Sequence, residues 1–261
     1  MPGVTSEATD TDDLAGMIDR GGYTAVLFDL DGVLTETAAV HAKAWRQMFD
    51  EFLRSWSADH GEDFVPFDPE RDYPTYLDGK PRYDGVRSFL GSRSITLPDG
   101  DPSDPPDALT VSGLGNRKNE LVQDILATDG ASAFPGSVQL LHHIRRIGLK
   151  AAVVSSSKNC EAVIEAAGIA DQFDARVDGI DVEEGGIPGK PAPDTFLEAA
   201  HRLGVTAAAS VVFEDALAGV AAGRAGHFGL VVGVDRADQA DALRAHGADV
   251  VVEDLAELLP R

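Results

Sequence analysis

The sequence predicts an α/β protein: a doubly wound, Rossmann-like parallel sheet with an inserted α-helical cap. Three observations carry this. Short apolar runs rich in valine and alanine recur through the second half of the 261-residue chain, each ending at polar residues. Helical periodicity fills the gaps between them, and strands alternating with helices build parallel sheets covered on both faces. The stretch 39–131 breaks this rhythm with helical patterns and no strand-like run.

In chain order, residues 1–22 are expected to form a loose tail, because Met1–Asp13 is polar and acidic and lacks the basic and apolar regions of a secretory signal. Ala25–Phe28 is a strand and is expected to be central. It stops at two carboxylates, Asp29 and Asp31, followed by Gly32. Residues two apart in a strand share a face, and open α/β sheets bind ligands at the carboxyl edge. Two carboxylates there repel, so a divalent cation, or a division into nucleophile and acid, must compensate them. A surface turn built from Asp and Gly is the plainer alternative.

The cap region opens with Val40–Trp56, where Trp45, Met48, Phe49, Phe52 and Leu53 fall on a helical stripe. Shorter helices are expected at Tyr83–Leu90 and Asn116–Ala127, and the Pro/Asp/Gly-rich stretch Leu97–Pro106 reads as a loop. The lone Gly113-Leu114-Gly115 is too short to count as a nucleotide fingerprint.

After the cap, helices are expected at Gly136–Ile147, Asn159–Ala167, Ala192–Leu203, Leu217–Ala225 and Asp238–His246. Strands are expected at Leu149–Val154, Ser210–Phe213, Leu230–Val234 and Val250–Val252. The domain expectation is therefore a tail at 1–22, an α/β core at 23–38 and 132–261, and a helical cap at 39–131.

Composition narrows the function. The net charge is −22, which argues against nucleic acid or an anionic membrane surface as partner. No apolar run reaches membrane-spanning length. Cys160 is the only cysteine, so intramolecular disulfides and cysteine-based zinc sites are excluded. A reducing, cytoplasmic setting is the expectation.

Four features fall where strands should end: Asp29/Asp31, Ser155, Lys190 and Glu214/Asp215. Carboxylate oxygens suit Mg²⁺, which keeps phosphate as a co-ligand. A hydroxyl before a helix start favours anions, and Lys190 is a point charge suited to a phosphoryl oxygen. Singly, Lys190 reads as a solvated lysine and Ser155 or Glu214/Asp215 as helix caps. As a set they suit phosphoryl transfer through a carboxylate nucleophile.

Phe28-Asp29-Leu30-Asp31-Gly32-Val33, Val154-Ser155, Lys190-Pro191-Ala192-Pro193-Asp194 and Phe213-Glu214-Asp215 together resemble the four motifs of the haloacid dehalogenase superfamily, in the subclass with a helical cap. Thr35-Glu36-Thr37, His41, Ala44-Trp45, Gly79, Arg82, Arg117-Lys118-Asn119 and Ser157-Lys158-Asn159 resemble the β-phosphoglucomutase-like subfamily. The resemblance implies a monomeric, Mg²⁺-dependent phosphotransferase acting on small-molecule sugar phosphates through an aspartyl phosphate. A mutase converting β-glucose 1-phosphate to glucose 6-phosphate is the favoured activity. A sugar-phosphate phosphatase is the alternative, and a non-catalytic phosphometabolite-binding protein a third reading. The implied roles are Asp29 as nucleophile and Asp31 as acid/base, with a rise in the Asp31 pKa expected once phosphate and cap surround it. Asp29, Asp215, Glu214 and the Asp31 carbonyl would hold the metal, and Ser155, Ser156 and Lys190 the transferred phosphoryl group. Arg82 would grip a remote phosphate, with Thr37, His41, Gly79, Lys118, Asn119, Lys158 and Asn159 on the substrate side. Two departures bear on specificity: Asp78 stands where the family often has lysine, with Lys80 two residues away, and the stretch between Gly91 and Asn116 is long.

Overall fold

The computed structural model describes residues 16–260. Six strands form one all-parallel sheet in the order β3-β2-β1-β4-β5-β6. These are β1 (Ala25–Phe28), β2 (Lys150–Val154), β3 (Ala175–Val177), β4 (Ser210–Glu214), β5 (Leu230–Val234) and β6 (Val250–Val252). β1 lies between β2 and β4, with Phe28 in register with Val153 on one side and Phe213 on the other.

The alternation along β1 shows why the sheet is buried on both faces. Val26 and Phe28 join a core with Leu140, Leu141 and Ile144 of helix α5 (Pro135–Arg146) and Val163 of α6 (Cys160–Ala166). Ala25 and Leu27 join a second core with Phe196 and Leu203 of α8 (Asp194–Leu203), Val220 of α9 (Leu217–Ala225) and Leu243 of α10 (Ala240–His246). Each fully buried aliphatic or aromatic side chain contributes about 1.5–3 kcal/mol. With all four β1 residues buried, the carboxyl end of this strand is a rigid platform for Asp29 and Asp31.

The insert builds a core of its own. On α2 (Ala38–His60), Trp45, Met48, Phe49, Phe52 and Leu53 face Phe67, Leu77, Val86 and Phe89, with Val111 and Leu114 closing the cluster. The Phe49 and Phe89 rings lie 4.1 Å apart and those of Trp45 and Phe49 5.2 Å. Helices α3 (Arg82–Ser92) and α4 (Val111–Asp129) complete the cap. Gly113 and Gly115 serve packing: a Cβ would lie 2.3 Å from the Ala108 carbonyl oxygen in one case and 2.7 Å from Tyr83 in the other. The loop 97–106 is tied down by the Arg87–Asp99 pair at 2.7 Å and by Thr110 bonding Asp104 at 2.6 Å. Thr110 also caps α4 by accepting from the Gly113 amide.

Several elements differ from the sequence reading. The expected tail falls largely on residues 1–15, outside the described residues, but α1 (Met17–Arg20) is helical, and buried Ile18 belongs to the core. Strand β3 is only three residues long, too short to show a period, and helix α7 (Gly179–Gly185) is rich in acidic residues and glycine. Asp178 makes α7 possible through a capping box with Asp181. Tyr73–Leu77 forms one π-helical turn in the cap. Among the described residues, no helix is long and apolar enough to cross a membrane.

Candidate active site

Asp29 comes directly after β1, and its amide bonds the Phe213 carbonyl at 2.9 Å, which extends the strand pairing by one residue. Its carboxylate meets those of Glu214 and Asp215, all three buried, with one oxygen from each within 4.8 Å of the others. Lys190 Nζ donates to both Asp29 and Glu214 and approaches the Val154 carbonyl at 3.4 Å. The second Glu214 oxygen accepts the Ala216 amide at 2.9 Å. No donor reaches the Asp215 carboxylate among the described residues.

Crowding of like charges sets the electrostatics. Burial pushes Asp29 well up, Lys190 opposes it, and Glu214 and Asp31 reinforce it. Burial also pushes Asp215 well up, helped by Asp78, Glu214 and Asp29. Burial alone would push Lys190 down, but Asp29 and Glu214 outweigh it and hold the ammonium above its usual value. Three buried carboxylates around one ammonium leave a surplus of negative charge in a buried, all-oxygen site. Such a donor set fits a hard divalent cation, and the unpartnered Asp215 is the carboxylate that most needs one. Gly32 leaves this room: its φ is +87°, and a Cβ there would collide with the Asp215 carboxylate.

Asp31 turns the other way. Thr37 Oγ1 donates to its Oδ1, and His41 Nε2 lies 3.3 Å from the same atom. His41 Nδ1 receives Lys118 Nζ at 2.7 Å. Because a lysine only donates, Nε2 is the nitrogen left to carry the imidazole proton, on the side facing Asp31. Burial pushes Asp31 up, but His41 and Thr37 more than reverse it and hold the carboxyl at about 2. In this arrangement the carboxyl is held low; the rise expected once phosphate and cap surround Asp31 concerns the substrate complex, a different state. Burial, opposed by Asp31 and assisted by Arg82, brings Lys118 down to about 7.

A cavity of about 360 Å³ opens between sheet edge and cap. Asp29, Asp31 and Asp215 face it from the core, and His41, Trp45, Gly79, Arg82, Lys118 and Asn119 face it from the cap. Ser156 and Lys158 line it from the loop after β2. Ser155, Thr37, Asn159, Lys190 and Glu214 do not line it. Ser155 Oγ accepts the Ser157 amide at 3.1 Å, and Asn159 bonds Asn119 at 3.0 Å. Arg82 approaches only the Gly115 carbonyl, at 3.4 Å, and the Tyr83 ring, and pairs with no carboxylate among the described residues.

Sequence reasoning missed the docking of the cap. The Gly79 carbonyl accepts from Ser156 Oγ at 2.8 Å. Gly79, at φ +71°, packs so close to the loop after β4 that a Cβ would lie 3.0 Å from that of Ala216. Pro81 packs against Gly189, beside Lys190. The cap segment 79–81 thus touches three of the core loops that carry the site. Sequence reasoning also missed Tyr73 and Asp78, which face the cavity from the π-helical turn and its end. Burial, then Glu214, raises Asp78 to about 7 against the opposing effect of its Tyr73 hydrogen bond. The signal for Asp78 was its departure from the family pattern. Arg236 is a further omission: its Nε holds the Gly32 carbonyl at 2.9 Å. Lys80 bonds Ser88 at 3.0 Å.

A parallel α/β sheet with a carboxylate–lysine cluster at its carboxyl edge, closed by a helical cap over a cavity, defines a capped phosphate-processing enzyme class. Within it, the haloacid dehalogenase-like hydrolase family matches residues 23–227, and the chain belongs to that family. It is 58% identical over 238 residues to a β-phosphoglucomutase of Mycobacterium tuberculosis, covering 90% of this chain and 91% of that one. It is 30% identical to a validoxylamine A 7'-phosphate phosphatase of Streptomyces hygroscopicus, covering 90% of this chain and 96% of that one. The crystal structure of a β-phosphoglucomutase from Clostridium difficile superposes with a TM-score of 0.70 at 25% identity, covering 90% of this chain and 93% of that one.

Proposed function

We propose that this protein is a β-phosphoglucomutase, moving a phosphoryl group between β-glucose 1-phosphate and glucose 6-phosphate through phosphorylated Asp29. The carrying observation is the division of the opening carboxylate pair. Asp29 lies with Lys190, Glu214 and Asp215, whereas Asp31 lies with Thr37, His41 and, through His41, Lys118. This division supports attack on phosphorus by one carboxylate and proton transfer by the other. The 58% identity to a β-phosphoglucomutase supports the same substrate.

In the first half of the cycle, an Asp29 oxygen forms a bond to phosphorus, the bond from phosphorus to the sugar oxygen breaks, and Asp31, if protonated, gives that oxygen its proton. In the second half, a hydroxyl of the reoriented sugar phosphate attacks phospho-Asp29, its proton passes to Asp31, and the Asp29 carboxylate is restored. The ionised Asp31 of this structure suits the second half. Lys190 and the Ser155–Ser156 loop hold phosphoryl oxygens, and Arg82, Lys158, Asn119 and Asn159 receive the phosphate that does not react. His41, Lys118, Thr37 and Gly79 position the sugar and the docked cap. Asp29, Glu214 and Asp215, with the Asp31 carbonyl, would hold Mg²⁺, which when bound neutralises charge developing on the transferred group.

The phosphatase alternative differs only in the acceptor, water instead of a sugar hydroxyl, and the validoxylamine phosphate phosphatase relative supports it. One assay separates them. With β-glucose 1-phosphate, a trace of glucose 1,6-bisphosphate and Mg²⁺, isomerisation without free phosphate is the expected result. Stoichiometric phosphate release would assign the protein to the phosphatases.

A further inference from the structure

The cavity contains a carboxylate that the proposed chemistry does not use. Glu183 lies on α7, faces the cavity and pairs through Oε2 with Lys158 Nζ. Both side chains are about one-third exposed, at 31% and 33%. α7 is held at its start by the Asp178 capping box, and Asp178 is itself fixed by Arg176 at 2.9 Å. At its far end the chain turns through Gly186, at φ +61°, and continues along the cavity wall as Ile187, Pro188 and Gly189. Glu183 is thus anchored on a short element that leads from β3 to Lys190.

Charge counting shows what this carboxylate does. The anion subsite of the proposed reaction contains two cations, Arg82 and Lys158, close enough that Arg82, after burial, helps push the Lys158 ammonium down. Arg82 has no carboxylate partner among the described residues, and the neighbouring amides Asn119 and Asn159 bond each other. Glu183 is the carboxylate paired there, with Glu184 acting on the same ammonium from the next position, and it neutralises one of the two cations. A phosphate dianion can engage both cations only if Lys158 exchanges Glu183 for a phosphate oxygen.

We propose that Glu183 is an internal occupant of this anion subsite, displaced from Lys158 by the non-reacting phosphate of the substrate. A dianion replaces the ion pair it breaks and also satisfies Arg82. Glu183 acts through Lys158, as a competing internal anion. The inference rests on the sugar-phosphate reading for its physiological ligand, but its test does not require turnover.

The probe is inorganic phosphate, titrated calorimetrically into the metal-free full-length protein. Glu183→Gln keeps the shape and removes the competing charge, so it should tighten phosphate binding about fivefold, the size expected for a partly exposed ion pair. Combining it with Lys158→Met should abolish that gain. Glucose, as a neutral probe, should show no tightening in Glu183→Gln. An unchanged or weaker phosphate affinity in Glu183→Gln, or a gain that survives loss of Lys158, would overturn the proposal. Either result would leave the mutase reading to its own assay, and failure of that assay would leave the phosphate titration interpretable.

Discussion

At the sheet edge, Asp29, Glu214 and Asp215 crowd three buried carboxylates around one ammonium, Lys190. Across the cavity, Arg82 and Lys118 of the cap, with Lys158 of the core loop after β2, set three cations among aromatic rings, amides and the carboxylate of Glu183. The first region has surplus negative charge and fits a cation, whereas the second has surplus positive charge and fits an anion. The core end is fixed by strand register. The cap end rests on a separate hydrophobic cluster and reaches the core through the short segment 79–81. On the proposed reading, the sheet edge makes the bond, and the cations shared by the cap and the loop after β2 choose the substrate. The difference also explains how a protein of net charge −22 accepts a dianion: over distances beyond about 8–10 Å, salt screens the surface carboxylates and the local cations decide.

The comparison can be broken most severely at the core. Asp29→Asn should lower isomerisation at least about a thousandfold, as loss of a nucleophile does, while the folding transition stays cooperative. Near-normal turnover in that variant would remove the core from the chemistry. On the cap side, Arg82→Ala should raise KM by about a hundredfold, the loss of a charge-assisted hydrogen-bonding partner, with a smaller change in kcat. A fall in kcat alone would move Arg82 from recognition to chemistry.

Lys118 sharpens the contrast through pH. Its ammonium is held at about 7, below its ordinary 10.5. Between those values the unfolded chain binds the proton more tightly, so this group makes stability rise with pH from about 7 toward 10.5. Urea unfolding at about pH 7 and about pH 9 should show wild type gaining about 2 kcal/mol over Lys118→Met. Parallel pH dependence in the two proteins would contradict a desolvated lysine. The smallest effect is expected at Asp78, where a cap carboxylate faces the core carboxylates. With metal removed by a chelator at about pH 8, Asp78→Asn should stabilise the fold by about 1 kcal/mol, read from thermal unfolding. Destabilisation would show that the bond to Tyr73 outweighs the repulsion.

The core was largely legible in the sequence because its logic is local. A strand buried on both faces reads as a continuous apolar run, and polar residues appear where it stops, so Asp29, Ser155 and Glu214 announced themselves. β3 and α7 were not legible: the first is too short for a pattern, and the second forms because Asp178 caps it. Glu183, Asp78 and Tyr73 were missed for another reason. Each gains its meaning from a partner distant in sequence, and nothing in an isolated glutamate foretells Lys158. The setting of Asp31 likewise depends on His41 and Thr37, whose pull on its carboxyl no local pattern announces.

The central claim is that the core alone makes the covalent bond, at Asp29. Incubating the protein with glucose 1,6-bisphosphate and Mg²⁺, trapping with borohydride and sequencing the peptides by mass spectrometry tests it directly. Reduction of an acyl phosphate at Asp29 leaves homoserine at that position. The account predicts homoserine at position 29 in wild type, none at Asp31, Glu214 or Asp215, and none in Asp29→Asn. Isomerisation without a trapped residue at position 29, or trapping at another carboxylate, would contradict it.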